Sequence, residues 1–230
     1  MKLFNIENLS FKYEDSKDYI IKNLDFSMEK GKFISILGSS GCGKTTLLKI
    51  LAGLQGDSPI KLPISYMPQR DSLLPWRTAL ENIYLPLEVE KKLPKKVYKE
   101  KALELLKKLN LENYKSYLPK NLSGGMKQRI AFARTLIKDS DIFLLDEPFS
   151  ALDAISKIEI REWVKNILDS LNKTSILITH DVEEAIFLSD EILVVKNTPI
   201  EDFIHFKVSE YSNRELLKNS ILEIIRSSQK

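Results

Sequence analysis

The sequence predicts an α/β fold, a parallel sheet covered by helices on both faces, and three observations lead to it. Short apolar runs, IFLL at Ile142–Leu145, SILIT at Ser175–Thr179 and EILVV at Glu191–Val195, alternate with helical segments at 155–171 and 182–188. Strands buried on both faces read as such unbroken runs. KFISIL at Lys32–Leu37 is strand-like between two glycines, and from Lys44 the spacing changes to a helical face of Leu47, Leu48, Ile50, Leu51 and Leu54. Glycine is scarce: the 230 residues hold eight, fewer than half of what an average usage of about 7% supplies. Five of the eight form two clusters, Gly38, Gly41 and Gly43, then Gly124 and Gly125, where the backbone must lie uncovered.

Taken in order, Leu3–Phe11 and Leu24–Met28 alternate apolar and polar residues, and with 32–37 they make three strands leading into the first glycine cluster. The helix after that cluster closes near Gly53–Gly56. Residues 70–138 are lysine-rich and helical: Val97, Ala102, Leu105, Leu106 and Leu109 follow Pro94, and Met126, Ile130, Ala133 and Ile137 mark a second helix. Leu217, Ile221, Ile224 and Ile225 share one face of a last helix within 213–227. The expected organisation is one domain over 1–230, with a core at 1–69 and 139–196, a helical insert at 70–138, and a tail and helix at 197–230.

Composition excludes several classes. With 43% hydrophobic and 29% charged residues the chain is not disordered. Its longest hydrophobic run is four residues, against the roughly 20 of a spanning helix, and the N-terminus lacks a signal-peptide stretch. A cytoplasmic protein is expected, and the single cysteine, Cys42, agrees with a reducing compartment. A net charge of +3, from 35 basic and 32 acidic residues, gives no basic stripe for nucleic acid.

Three motifs carry chemistry. GSSGCGKTT, Gly38–Thr46, fits the phosphate-loop pattern between a buried strand and a helix, so backbone N–H groups and the helix start surround phosphates, Lys44 supplies charge and Thr45 a hydroxyl for Mg²⁺. IFLLDE, Ile142–Glu147, delivers two carboxylates at a strand end: Asp146 to position the metal and Glu147 to polarise water. LSGGMKQR, Leu122–Arg129, opens a helix with Ser123 as N-cap and Gly124 and Gly125 bare; alone it reads as a capped helix after a glycine turn, and beside the phosphate loop as a second anion-binding helix start.

The order GSSGCGKTT, Gln69, LSGGMKQR, IFLLDE, SALD (Ser150–Asp153) and His180 resembles the nucleotide-binding subunit of ATP-binding-cassette transporters over about residues 3–195. The resemblance implies a P-loop NTPase (RecA-like) core with an N-terminal antiparallel β subdomain and a helical subdomain insert. It also implies a head-to-tail homodimer in which ATP lies between the phosphate loop of one copy and the LSGG segment of the other. Carried over, Gly38, Ser39, Ser40, Gly41, Cys42, Gly43, Lys44, Thr45 and Thr46 bind nucleotide, Thr45, Gln69 and Asp146 attend Mg²⁺, and Glu147 is the catalytic base. His180 is the switch histidine at the γ-phosphate and Gln69 senses metal and water. Ser123, Gly124, Gly125, Gln128 and Asp153 serve across the dimer, and Tyr13, with Phe11 or Tyr19 as substitutes, stacks on adenine.

LLPWRTALENI, Leu73–Ile83, reads either as a patch that receives a partner's helix or as filling for the insert's own core through Leu74 and Trp76. It resembles importer subunits of the nitrate, sulfonate and taurine group, which includes relatives serving thiamine-precursor pyrimidines. That implies an integral-membrane permease as partner, a solute-binding protein acting indirectly, and a peripheral place on the cytoplasmic side of the membrane. Two features depart from the family: only 24 residues (45 to 68) separate Lys44 from Gln69, so a strand pair is expected to be trimmed, and no regulatory domain is expected after the last helix. The competing classes are a soluble cassette ATPase acting on nucleic acid or ribosomes, whose coiled coils or second cassette are missing, and a small-molecule kinase, which leaves LSGGMKQR unexplained.

Overall fold

The structure, a computed structural model, describes residues 2–150 and 152–227. Ala151 of the SALD string lies outside them. Two strands open the chain, β1 (Lys2–Phe11) and β2 (Ile21–Glu29), paired antiparallel in a sheet of their own. Their inward residues Ile6, Ile21, Leu24, Phe26 and Met28 are buried, as in a sheet with one wet face. The third strand of the expected run, β3 (Phe33–Leu37), separates from them. All five of its residues are buried, so it takes a central place in a second sheet with layers on both faces.

Along the chain follow α1 (Lys44–Leu51), β4 (Ile64–Met67), α2 (Ala79–Glu90), α3 (Lys95–Lys108), α4 (Gly124–Leu136), β5 (Ile142–Asp146) and α5 (Ala154–Leu171). Then come β6 (Thr174–Ile178), α6 (Val182–Leu188), β7 (Glu191–Val194), β8 (Ile204–Lys207) and α7 (Arg214–Ser227). The large sheet has the order β4-β5-β6-β3-β7-β8. Its pairs are parallel except β7 with β8. Sequence reading missed β8, whose four residues IHFK include exposed His205 and Lys207 and so lack an apolar run. Residues 52–63 form turns and bends with no strand, matching the expected trimming.

Alternate residues of the central strands feed opposite cores, as a two-residue period requires. Phe143, Leu145 and Leu177 pack with Ile83, Leu106, Phe132 and Val164 on one side. On the other, Leu144, Ile176 and Ile178 pack with Leu47, Leu48 and Leu51 and with Leu24 and Phe26 of β2. A third cluster joins Val182, Val194, Phe206, Leu217 and Ile221. Between β4 and β5, α2 packs on α3 and α4, and α4 reaches β4, so the helical layer is anchored to the sheet through α4. A capping box starts α2: Glu81 N donates to Thr78 Oγ1 at 3.3 Å and Thr78 N to Glu81 Oε2 at 2.9 Å, an arrangement worth about 1 kcal/mol.

Candidate active site

Four adjacent strands, β4, β5, β6 and β3, deliver the site from their C-terminal ends, the edge of a parallel sheet where ligands bind. From β3 the chain turns through Gly38–Gly43 into α1. Gly43 is the N-cap at φ 103°, with no side chain capping the helix. A Cβ there would lie 2.5 Å from Ile20 Cγ2, so both conformation and space demand glycine. The leading N–H groups of α1 are thereby left to an anion. Lys44 is buried, and its Nζ donates to Gly38 O at 2.9 Å and Ser39 O at 2.7 Å and lies 3.6 Å from Cys42 Sγ. The ammonium thus sits inside the ring of its own loop. Gly43→Ala is expected to cost about 1–3 kcal/mol from the forced backbone alone, read as a lowered Tm in thermal unfolding; an unchanged Tm would contradict this account of the loop.

Asp146 ends β5 and is 2% exposed. Thr45 Oγ1 donates to its Oδ1 at 3.0 Å and the Tyr66 hydroxyl to its Oδ2 at 3.1 Å. Burial raises the Asp146 carboxyl above its ordinary range, against the pull of these two bonds. Burial, reinforced by Asp146, also pushes the Tyr66 hydroxyl up, so it stays protonated and donates. Tyr66 was not singled out from sequence; its signal is the alternation of ISYM, which buries Ser65 and Met67 and leaves Tyr66 half-buried.

Glu147 adopts φ 45°, a left-handed conformation uncommon for a side-chain-bearing residue. Its N–H donates to Ile178 O at 2.9 Å, and Ser150 donates to its carbonyl from both N, at 3.2 Å, and Oγ, at 3.0 Å. These bonds hold the reversal that turns Glu147 away from Asp146. Its Oε2 accepts from Gln69 Nε2 at 3.0 Å and lies 3.3 Å from His180 Nδ1. Gln69 lies two residues past Met67, the last residue of β4, in a bend. Reach into the site comes from that overhang. Arg134 of α4 donates to the carbonyls of Asp71 at 2.5 Å and Ser72 at 2.9 Å, tying the segment after Gln69 to the helical layer.

Tyr13 hydrogen-bonds Thr46 Oγ1 through its hydroxyl at 3.2 Å, and its ring meets Phe11 edge-on at 5.2 Å. Tyr13 and Tyr19 are both exposed.

The second helix start stands apart. Ser123 caps α4, its Oγ accepting from Met126 N at 3.2 Å, and among the described residues no hydrogen bond or ion pair joins Ser123–Gly125 to the phosphate loop. Gly125 packs instead on α5, where a Cβ would lie 3.4 Å from Ser156 Oγ. Asp153 caps α5, accepting from Ser156 N at 3.0 Å, and that backbone bond holds its carboxyl below the usual range. Gln128 turns inward: it is 4% exposed and its amide donates to Pro148 O, which fastens α4 to the turn after Glu147 rather than offering the side chain to a ligand. Trp76 is 72% exposed, which overturns the core-filling alternative. The loop presenting it is clamped by buried Asn82, which accepts from Leu74 N at 2.7 Å and donates to Leu74, Arg77 and Thr78 carbonyls.

Comparison with known proteins agrees with this architecture. Residues 21–150 match the ABC transporter family. The chain is 36% identical over its whole length, and over 94% of the relative's, to the formylaminopyrimidine import ATP-binding protein ThiZ of Halalkalibacterium halodurans. It is 39% identical to the aliphatic sulfonates import ATP-binding protein SsuB of Bacillus cereus, over 78% of this chain and 75% of that one. Among solved structures it resembles the dimeric ATP-binding cassette MJ0796 in a post-hydrolysis state with ADP and Pi, at a TM-score of 0.76 and 30% identity, covering 89% of this chain and 98% of that one. A phosphate loop facing a carboxylate pair on a sheet of this order, with matches of this extent, has one meaning: the chain belongs to the ABC transporter family, as one of its ATPase cassettes.

Proposed function

We propose that the chain is the ATP-binding and hydrolysing subunit of an importer, working as a homodimer that closes on two ATP molecules and moves a separate permease. One observation carries the reading: Lys44, Thr45, Asp146, Glu147, Gln69 and His180 converge at one sheet edge from four adjacent strands. The loop Gly38–Thr46 would hold the phosphates, with Lys44 exchanging its own loop carbonyls for phosphate oxygens. Thr45 and Asp146 pair two hard oxygens that suit Mg²⁺, and a carboxylate strained by burial gains from a cation. Mg²⁺, when bound, would neutralise phosphate charge. Glu147 would take the proton of the attacking water, oriented by Gln69 and His180. Tyr13 would lie against the adenine, beside Thr46.

The Ser123–Gly125 helix start and Asp153 would complete the site of a second copy, which accounts for a helix start that, among the described residues, makes no hydrogen bond or ion pair to the phosphate loop; the dimeric cassette among the structural relatives supports this. The organisation into a core at 1–69 and 139–196, an insert at 70–138 and a tail at 197–230 follows the same reading. Relatives named for import of formylaminopyrimidine and aliphatic sulfonates favour a small polar solute as cargo, delivered by a solute-binding protein. Among the described residues no helix is long and apolar enough to cross a membrane, and the subunit would sit peripherally on the cytoplasmic side, Trp76 against the permease. Trp76→Ala is expected to abolish co-purification with a co-expressed permease and ATP-driven solute uptake, with ATP turnover of the isolated chain unchanged. Uptake at the wild-type rate would remove Trp76 from the interface, and failure of the wild-type chain to support uptake with any permease would remove the importer reading.

A further inference from the structure

We propose that Lys157 is a positioning residue that couples the Ser123–Gly125 helix start and the Asp153 turn to the turn carrying His180, and so links the two ATP sites of the dimer. The proposal rests on the dimeric reading above. Lys157 lies in the first turn of α5, its N–H donating to Asp153 O at 2.9 Å. Beside it Ser156 packs against Gly125. The Lys157 ammonium crosses from α5 to the other side of the site, donating to Asp181 Oδ2 at 2.7 Å and Glu184 Oε1 at 2.5 Å.

Those two carboxylates hold the His180 turn from within. Glu184 Oε2 accepts from Thr179 Oγ1 at 2.5 Å, and the same hydroxyl accepts from Asp181 N at 3.0 Å. Asp181 Oδ1 accepts from the N–H groups of Glu183 and Glu184. Thr179 and Asp181 are therefore both fastened to the Lys157 network, and His180 between them keeps an exposed side chain directed at Glu147. The Glu184 side chain is 3% exposed and that of Lys157 21%, so this pair is shielded from water and holds its geometry better than a surface ion pair. Burial opposes the charge on Lys157, but its bonds to Asp181 and Glu184 outweigh that and hold its pKa above the ordinary value.

The consequence concerns two nucleotides at once. In a head-to-tail pair, Ser123–Gly125 meets the ATP seated in the other copy. Force on that helix start falls on Ser156 and the first turn of α5, and the next side chain, Lys157, passes it to the turn that sets His180 against Glu147 of its own copy. A contiguous chain of contacts can carry such coupling, and a measured coupling is its proof.

The test compares Lys157→Met, Lys157→Arg and the double variant Lys157→Met/Glu184→Gln. The double variant removes the buried carboxylate that Lys157→Met leaves unpaired, which protects folding. For each full-length protein, ATP turnover is measured against ATP concentration, and nucleotide affinity is measured separately with a fluorescent ATP analogue. Lys157→Met and the double variant are expected to lose about tenfold in kcat, the order of effect of a residue that modulates coupling without touching either ligand. Their ATP dependence becomes hyperbolic where wild type is sigmoidal, with analogue affinity unchanged, and Lys157→Arg restores the wild-type curve. A folded double variant with wild-type kcat and sigmoidicity overturns the proposal. So does a loss of affinity in step with kcat, which means that Lys157 only supports the fold. Hyperbolic turnover in the wild type itself overturns the coupling, whereas absence of an ATP-dependent dimer of Glu147→Gln in size-exclusion chromatography overturns the dimeric reading on which it rests.

Discussion

Glu147→Gln is expected to lower ATP turnover by about two orders of magnitude or more, the range for losing a general base, while nucleotide affinity stays at the wild-type value. The substitution keeps the shape of the side chain and its acceptor toward Gln69 Nε2, which now stands at 3.0 Å, so the Gly38–Thr46 loop and the Thr45–Asp146 hydrogen bond are untouched. What disappears is the basic oxygen near His180 Nδ1. Because closure precedes hydrolysis in the proposed cycle, the variant should accumulate as an ATP-bound dimer, seen as a species of doubled mass in size-exclusion chromatography with ATP and not with ADP. Turnover near wild type would remove Glu147 from its role and leave Asp146 as the alternative carboxylate.

Lys44→Ala acts at the other end of the site and on the other parameter. Charge-assisted hydrogen bonds are worth about 1.5–3 kcal/mol each, so losing the ammonium should weaken ATP binding by roughly one to two orders of magnitude. Hydrolysis then falls because the site is empty, and saturating ATP recovers part of it. Removing the side chain also leaves the carbonyls of Gly38 and Ser39 without the donor they now share, and a thermal scan separates that local cost from the binding defect. Unchanged ATP affinity would contradict the phosphate-loop reading. Together the two variants divide binding from chemistry: one moves Kd, the other moves kcat with Kd preserved.

Much of the site was legible because its chemistry is written in contiguous residues. Gly38–Thr46 needs a strand before it and a helix after it, and the apolar pattern of KFISIL and the leucines after Lys44 supplied both. Asp146 and Glu147 stood out because four apolar residues precede them. Less legible were residues whose role depends on a neighbour in space. Tyr66 reads as an ordinary strand residue until β4 is paired with β5, and Lys157 as a helix-surface lysine until α5 is packed on α6. Gln128, which the resemblance places among the residues serving across the dimer, turns inward with α4 instead, and its amide is spent on Pro148.

By itself the sequence determined the elements and the local chemistry: which runs are strands, where a helix start is left bare for phosphate, and which carboxylates end a buried strand. These follow from side-chain periodicity and from glycine's freedom over a few consecutive residues. The tertiary structure decided what stands next to what. Parallel pairing brings Asp146 against Thr45 across 101 residues of chain, the left-handed turn at Glu147 sends its carboxylate to Gln69 and His180 instead, and clamping by Asn82 leaves Trp76 outside. Such choices depend on sheet order and packing between distant segments, which no local pattern encodes. The same packing keeps the Ser123–Gly125 helix start away from its own phosphate loop, so that in the proposed dimer completing the site falls to a second copy.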